Sequence, residues 1–143
     1  MSKSLFYLLS FTWGLPMTLV GIVAGIFLTI IGKKAEKYGA CWHFTIGRDW
    51  GGLNLGPVFI TCEEPSDYTK DHEHGHAIQN CYYGFLMPFI VVFPSIVRYW
   101  YREFRWHINR PCITNYYDIW FEKQASDIGT VYVNKWNKKE SVK

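Results

Sequence analysis

The chain has 143 residues, a net charge of +3, 49% apolar residues and 19% aromatic residues. Its length suits one domain with at most an appended segment. The mild charge, with no long basic stripe and no nucleic-acid motif, argues against a nucleic-acid partner, and so much aromatic surface is typical of chains that meet a bilayer interface.

From Leu5 to Ile31 the sequence carries no charge, and Lys33 and Lys34 end the run. As one helix it would extend about 40 Å, more than the roughly 30 Å hydrocarbon core. It is too long for a signal-peptide core, and "IIGKK" is a poor cleavage site. Residues 1–34 are therefore expected to form an N-terminal transmembrane anchor, broken or kinked at Gly14 and Pro16 so that the helix proper begins near Pro16. Lys33, Lys34 and Lys37 outnumber Lys3, which places the following segment in the cytoplasm by the positive-inside rule.

The runs "ACWHFTIG" and "GGLNLGPVFIT", separated by the turn glycines of "GRDWGG", read as a small antiparallel sheet, with a bulge or break at Gly56-Pro57. His43 falls there as a strand residue with a satisfied hydrogen bond. The four cysteines show no CxxC spacing, which argues against a thiolate metal site. They are expected to be buried free thiols; a Cys41–Cys62 bridge stays open if their segments pair. The polar loop "EEPSDYTKD" offers Ser66, Asp67 or Thr69 as the N-cap of a helix beginning near Tyr68.

That helix carries "DHEHGHAIQN", where three of the five histidines of the chain are concentrated. His72, Glu73 and His76 form an H-E-x-x-H pattern. Imidazoles at i and i+4 share a helix face and can grip one zinc ion, while the adjacent glutamate can act as general base on a metal-bound water. His74 points off that face, as a histidine behind the site or on the surface. A catalytic zinc also needs a third protein ligand. Downstream, "YDIWFEKQASDIG" reads as a second helix, with Ile119, Glu122, Ala125, Ser126 and Gly129 at helical spacing. An inward Glu122 between Trp120, Phe121 and the core would be costly unless paired or metal-bound. Asp127, Asp118 and His107 are the fallback ligands.

The string "HEHGHAIQNCYYG" resembles the active-site helix of HExGH membrane metallopeptidases of the site-2 protease group. The second helix is similar to that of gluzincins, whose glutamate is the third ligand, although Asp127 lies five positions after Glu122 where that pattern has four. The site-2 segment "LDG" is absent, and its third ligand is not carried over. The order sheet, then helix, matches zincins, in which a strand ahead of the metal helix lines the cleft and pairs with an extended substrate; "GGLNLGPVFIT" is that strand. Residues 40–133 as a whole resemble small bacterial membrane proteins with zinc-peptidase signatures.

A straight helix from His72 to Trp106 would be about 50 Å long, and Glu122 could not return across it in about 16 residues while helical itself. The chain must fold back, and Pro88 and Pro94 supply the break. The uncharged run Gly84–Val97 is too short to cross a bilayer easily, so residues 84–106 read as a membrane-dipping segment, with a second full crossing as the alternative. Arg98, Arg102 and Arg105, interleaved with aromatics, suggest an interfacial helix against anionic head groups. The tail "NKWNKKESVK" reads as a solvated basic end.

These features predict an α+β membrane protein: an anchor (1–34) followed by a zincin-like metallopeptidase domain (35–143). Zinc would be held by His72, His76 and Glu122, with Glu73 as base and a peptide or protein as substrate. Tyr82, Tyr83, Tyr116, Tyr117 and His107 all qualify chemically as oxyanion partner. The alternative is a non-catalytic membrane protein whose metal site is structural and serves interaction or immunity.

Overall fold

The computed structural model describes residues 1–140. It is an α+β arrangement of five α-helices and a four-stranded sheet. The apolar N-terminal run is not one helix: α1 (Lys3–Ser10) and α2 (Leu15–Ile30) meet at 93°. Pro16 opens α2, where its missing N–H costs nothing. The carbonyls freed at the bend are recovered by Thr18, whose hydroxyl donates to Ser10 and Gly14 (2.7 and 3.0 Å). At 16 residues α2 is about 24 Å long, short of the hydrocarbon core. Among the described residues no single helix is long and apolar enough to cross a membrane, whereas two bent pairs have the needed length and composition together.

The sheet combines β1 (Glu36–Tyr38), β2 (Cys41–Thr45), β3 (Gly52–Leu55) and β4 (Val58–Thr61) in the order β1-β2-β4-β3. It is mixed rather than antiparallel, because β2 and β4 run parallel with Trp42 opposite Val58 and Phe44 opposite Ile60. The second extended run is two strands. Gly56, at φ +70°, turns the chain between them, and β3 pairs antiparallel with β4. All four residues of β4 are buried, so β4 takes the central position that a fully apolar strand favours. β3, with Leu53 exposed, is left at the edge. His43 is held within the sheet as expected: its Nε2 bonds Thr61 Oγ1 at 2.7 Å and its ring stacks on Phe59.

α3 (Asp67–Tyr83) is capped by Ser66, whose hydroxyl accepts from the Thr69 N–H. Gly84, at φ +57°, ends it, and the chain turns by 112° through a 3-10 turn and a π-helical turn (Pro88–Val92) into α4 (Phe93–His107). The expected fold-back is thus present. Met87 and Val91 are buried, whereas no residue of α4 is. The arginine stripe of α4 is also engaged within the chain: Arg98, Arg102 and Arg105 donate to the backbone carbonyls of Asn115, Thr114 and Arg110.

α5 (Trp120–Glu140) packs along α3. One core cluster lies between α2, the sheet and the fold-back (Met17, Leu28, Phe44, Leu55, Val58, Met87, Phe121). A second joins α1, α3 and α5 (Phe6, Ala77, Ile78, Cys81, Trp136). His74 belongs to the latter and is neither on the surface nor behind the metal site. It is fully buried beside Phe6, Tyr38 and Trp136, and its Nε2 accepts from the Ala40 N–H at 3.4 Å. All four cysteines are free, Cys41 and Cys81 buried and Cys62 and Cys112 partly so, and no Cys41–Cys62 bridge forms. The expected solvated basic tail instead begins as the last turns of α5, with Trp136 buried in the second cluster by its packing on Phe6 and His74; residues 141–143 lie outside the described residues.

Candidate metal centre

Helical spacing sets the site. His72 and His76 stand one turn apart on α3, and Glu122 enters from the first turn of α5. His72 Nε2, His76 Nε2 and Glu122 Oε2 converge, with mutual distances of 3.1, 3.1 and 3.2 Å. All three residues are buried, and Glu122 is only 1% exposed. For bonds of about 2.0–2.1 Å, a tetrahedral ion spaces its ligand atoms about 3.3–3.4 Å apart. The observed triangle fits that demand.

Hydrogen bonding fixes which atoms face the centre. His76 Nδ1 donates to Gln79 Oε1 at 2.8 Å, and Gln79 is itself oriented by donating Nε2 to the Phe121 carbonyl (2.7 Å) and to Gln124 Oε1 (2.9 Å). The Tyr83 hydroxyl also donates to Gln124 Oε1. His76 Nε2 therefore presents its lone pair to the centre. His72 Nδ1 bonds Ser126 Oγ at 2.9 Å, and Ser126 donates to the Glu122 carbonyl and meets the Tyr68 hydroxyl. The other oxygen of Glu122 accepts from Ser95 Oγ. Partners of this kind hold metal-binding imidazoles in one tautomer and orientation.

Three lone pairs this close repel one another unless a proton or a metal cation lies among them. Burial pushes the Glu122 carboxyl up, but the His72 and His76 rings and Ser95 outweigh it and hold the group below the usual carboxylate range. Burial lowers His72. His76 is also opposed by burial, yet the neighbouring Glu122 carries it above its usual value. The centre is built for positive charge, and the buried His72/His76/Glu122 group can hold a metal ion.

Glu73 is buried beside this group and lines the same cleft, a cavity of about 690 Å³. Burial raises its carboxyl to about 7. Its side chain lies against Gly52 on β3, where an added methyl would overlap the carboxyl group. Asn54 secures the strand to α3 by donating to the Glu73 backbone carbonyl at 2.9 Å. Residues 51–54 form one cleft wall and α4 another.

The fallback ligands stay apart from the centre. Asp127 is exposed and paired with Lys123, Asp118 caps the turn before α5 by accepting from the Asn115 N–H, and His107 bonds the carbonyl of Glu103 in its own helix. Of the tyrosines, Tyr82 reaches Tyr132 and Tyr83 reaches Gln124, while the side chain of Tyr116 lies outside the described residues. Tyr117 lines the cleft, with its ring edge-on to His72 at 5.0 Å. Sequence reasoning had no part for Gln79, Ser95 or Gly52. Gln79 follows His76 by three positions on the same helix, a spacing that could have pointed to it; Ser95 gave no signal.

No protein-family model matches the chain, and neither a curated protein nor a solved structure matches it.

Proposed function

We propose that this chain is a membrane-anchored zinc metallopeptidase with Glu73 as its general base. The observation that carries this reading is the three-donor centre opening on a cleft, with the buried Glu73 carboxyl lining the same cleft. Two imidazoles and a carboxylate suit zinc. Structural zinc sites are closed by four protein ligands, whereas three leave a position open. Among the described residues this group holds three donors.

A zinc ion at His72, His76 and Glu122 would supply Lewis acidity to the scissile carbonyl and acidity to water. The protein supplies the rest. The edge strand β3 offers unpaired backbone groups to an extended peptide running past Glu73. Glu73 takes a proton from the attacking water as its oxygen bonds the carbonyl carbon, then passes that proton to the amide nitrogen as the C–N bond breaks. A carboxylic acid and an amine result. Tyr117, on the cleft wall beside His72, is the hydroxyl donor for the carbonyl oxygen.

Membrane attachment rests on the uncharged run of α1 and α2. α2 exposes Leu19, Val20, Val23, Ile26, Phe27 and Ile30 along one face. The lysines after it support a cytoplasmic side for the metal domain in this reading.

The test is zinc analysis of the gently purified protein, followed by peptide-library cleavage by the wild type and Glu73→Gln. The expected result is one zinc per chain in both proteins and turnover only in the wild type. Zinc far below stoichiometry, or equal cleavage by the variant, overturns the proposal.

A further inference from the structure

α4 buries none of its residues, yet it walls the metal cleft. At about 100° per residue its surface divides into three stripes. Ser95, Ile96, Tyr99, Trp100, Arg102 and Glu103 line the cleft. Arg98 and Arg105, with Arg102 at the cleft edge, form the second stripe, and all three are tied to the carbonyls of the following loop. Phe93, Val97, Tyr101 and Phe104 form the third. They face away from both and are 66%, 51%, 54% and 62% exposed.

Three observations select a lipid surface as the occupant of that third stripe. Three of its four residues, Phe93, Tyr101 and Phe104, are aromatic, which is the chemistry of the bilayer interface rather than of an aliphatic helix seam. The charges complement anionic head groups: α4 carries a single acid, Glu103, which lines the cleft with Arg102, and the charged residues outside the cleft are the cations Arg98 and Arg105. The bend that carries α4 is also one of two among the described residues with span-like length and composition; the other carries α2, with its uncharged exposed face.

α4 also touches the centre itself, because Ser95 in its first turn donates to Glu122. We propose that the Phe93/Val97/Tyr101/Phe104 face docks on an anionic bilayer surface, and that docking sets the position of the cleft wall and so the activity of the metal site. The lipid contact stands independently; its effect on turnover rests on the metallopeptidase reading.

The test uses the full chain in phosphatidylcholine nanodiscs with and without phosphatidylglycerol. On a Cys62→Ser/Cys112→Ser background, a nitroxide is placed at Val97→Cys and, as an aqueous control, at Asp127→Cys. With anionic lipid the label at 97 is expected to be shielded from a water-soluble relaxation agent and open to oxygen, while the label at 127 stays aqueous. Equal aqueous exposure of both labels overturns the docking, as does shielding of 97 without lipid in particles of doubled protein mass, which would mean a second copy covers the face. Cleavage of a soluble peptide should rise roughly fivefold or more with anionic lipid. Phe93→Ser/Val97→Ser/Phe104→Ser should lose that rise and keep the basal rate. A shielded label with an unchanged rate overturns the coupling, and zinc-loaded protein without turnover in any lipid overturns the peptidase reading while the depth measurement still decides the docking.

Discussion

Gly75 on α3 and Ala125 on α5 are in backbone contact: a methyl group at position 75 would overlap the Ala125 carbonyl. Gly129 meets the Asp71 carbonyl in the same way one turn further along α5. These close approaches let α5 lie near enough to α3 for Glu122 to reach both histidines. Gly75→Ala must push the helices apart, at about 1–3 kcal/mol or more for overpacking. The expected outcome is a lowered melting temperature together with loss of zinc binding, read by thermal denaturation and metal titration. An unchanged zinc affinity would show that the contact does not position Glu122.

Gln79 and Ser126 fix the imidazoles without joining the centre. Gln79→Leu and Ser126→Ala should each weaken zinc binding about 10–100-fold, the usual cost of losing such a partner. Competition with a chromophoric chelator measures this, with circular dichroism to show that the helices persist.

Tyr117→Phe removes a hydroxyl from the cleft wall while keeping the ring against His72. If Tyr117 donates to the developing oxyanion, kcat falls about 10²–10³-fold. KM and bound zinc should remain near the wild-type values. A change in KM alone would assign Tyr117 to substrate binding.

Chelation should destabilise the fold. An ion that binds only the folded chain adds about 4 kcal/mol when its free concentration is 1,000 times Kd. Differential scanning calorimetry with and without chelator should show a lower melting temperature after stripping, restored by zinc. Glu122→Gln should abolish most of that difference.

His74 gives the pH dependence. Burial holds its ring neutral, with a folded-state pKa near 3 against the ordinary 6.5. Burial shifts His43 in the same direction. Between those two values the unfolded chain binds a proton that the folded chain does not. Stability contributed by neutral His74 is therefore intact above about 6.5 and declines as the pH falls toward 3, with a slope approaching about 1.4 kcal/mol per pH unit. Denaturant titrations of metal-free protein at stepped pH should show this slope, and His74→Gln should flatten it.

How much of this was legible follows from the range of each interaction. His72 and His76 could be read because one helical turn brings them together whatever the rest of the chain does. Glu122 could be read because an acid among apolar neighbours needs a partner, and the fold-back because geometry demanded it. The burial of His74 could not, since Phe6 and Trp136, which enclose it, come from opposite ends of the chain. The parallel pairing of β2 with β4 was equally hidden, because local pattern gives strand faces and not partners; the short polar β1 left no pattern at all. The arginine stripe was visible, but its carbonyl partners lie on a loop that only the tertiary structure brings near.

The two histidines precede the fold-back and their carboxylate follows it, so the centre closes the whole stretch from residue 77 to 121 into a ring. A cation there would act as a clasp, and its release would free both ends of a detour in which α4 is nowhere buried. A nick within that detour would leave the two halves joined while the clasp is shut and let them part once it opens. Controlled digestion followed by chelation would therefore read metal occupancy as the difference between one species and two.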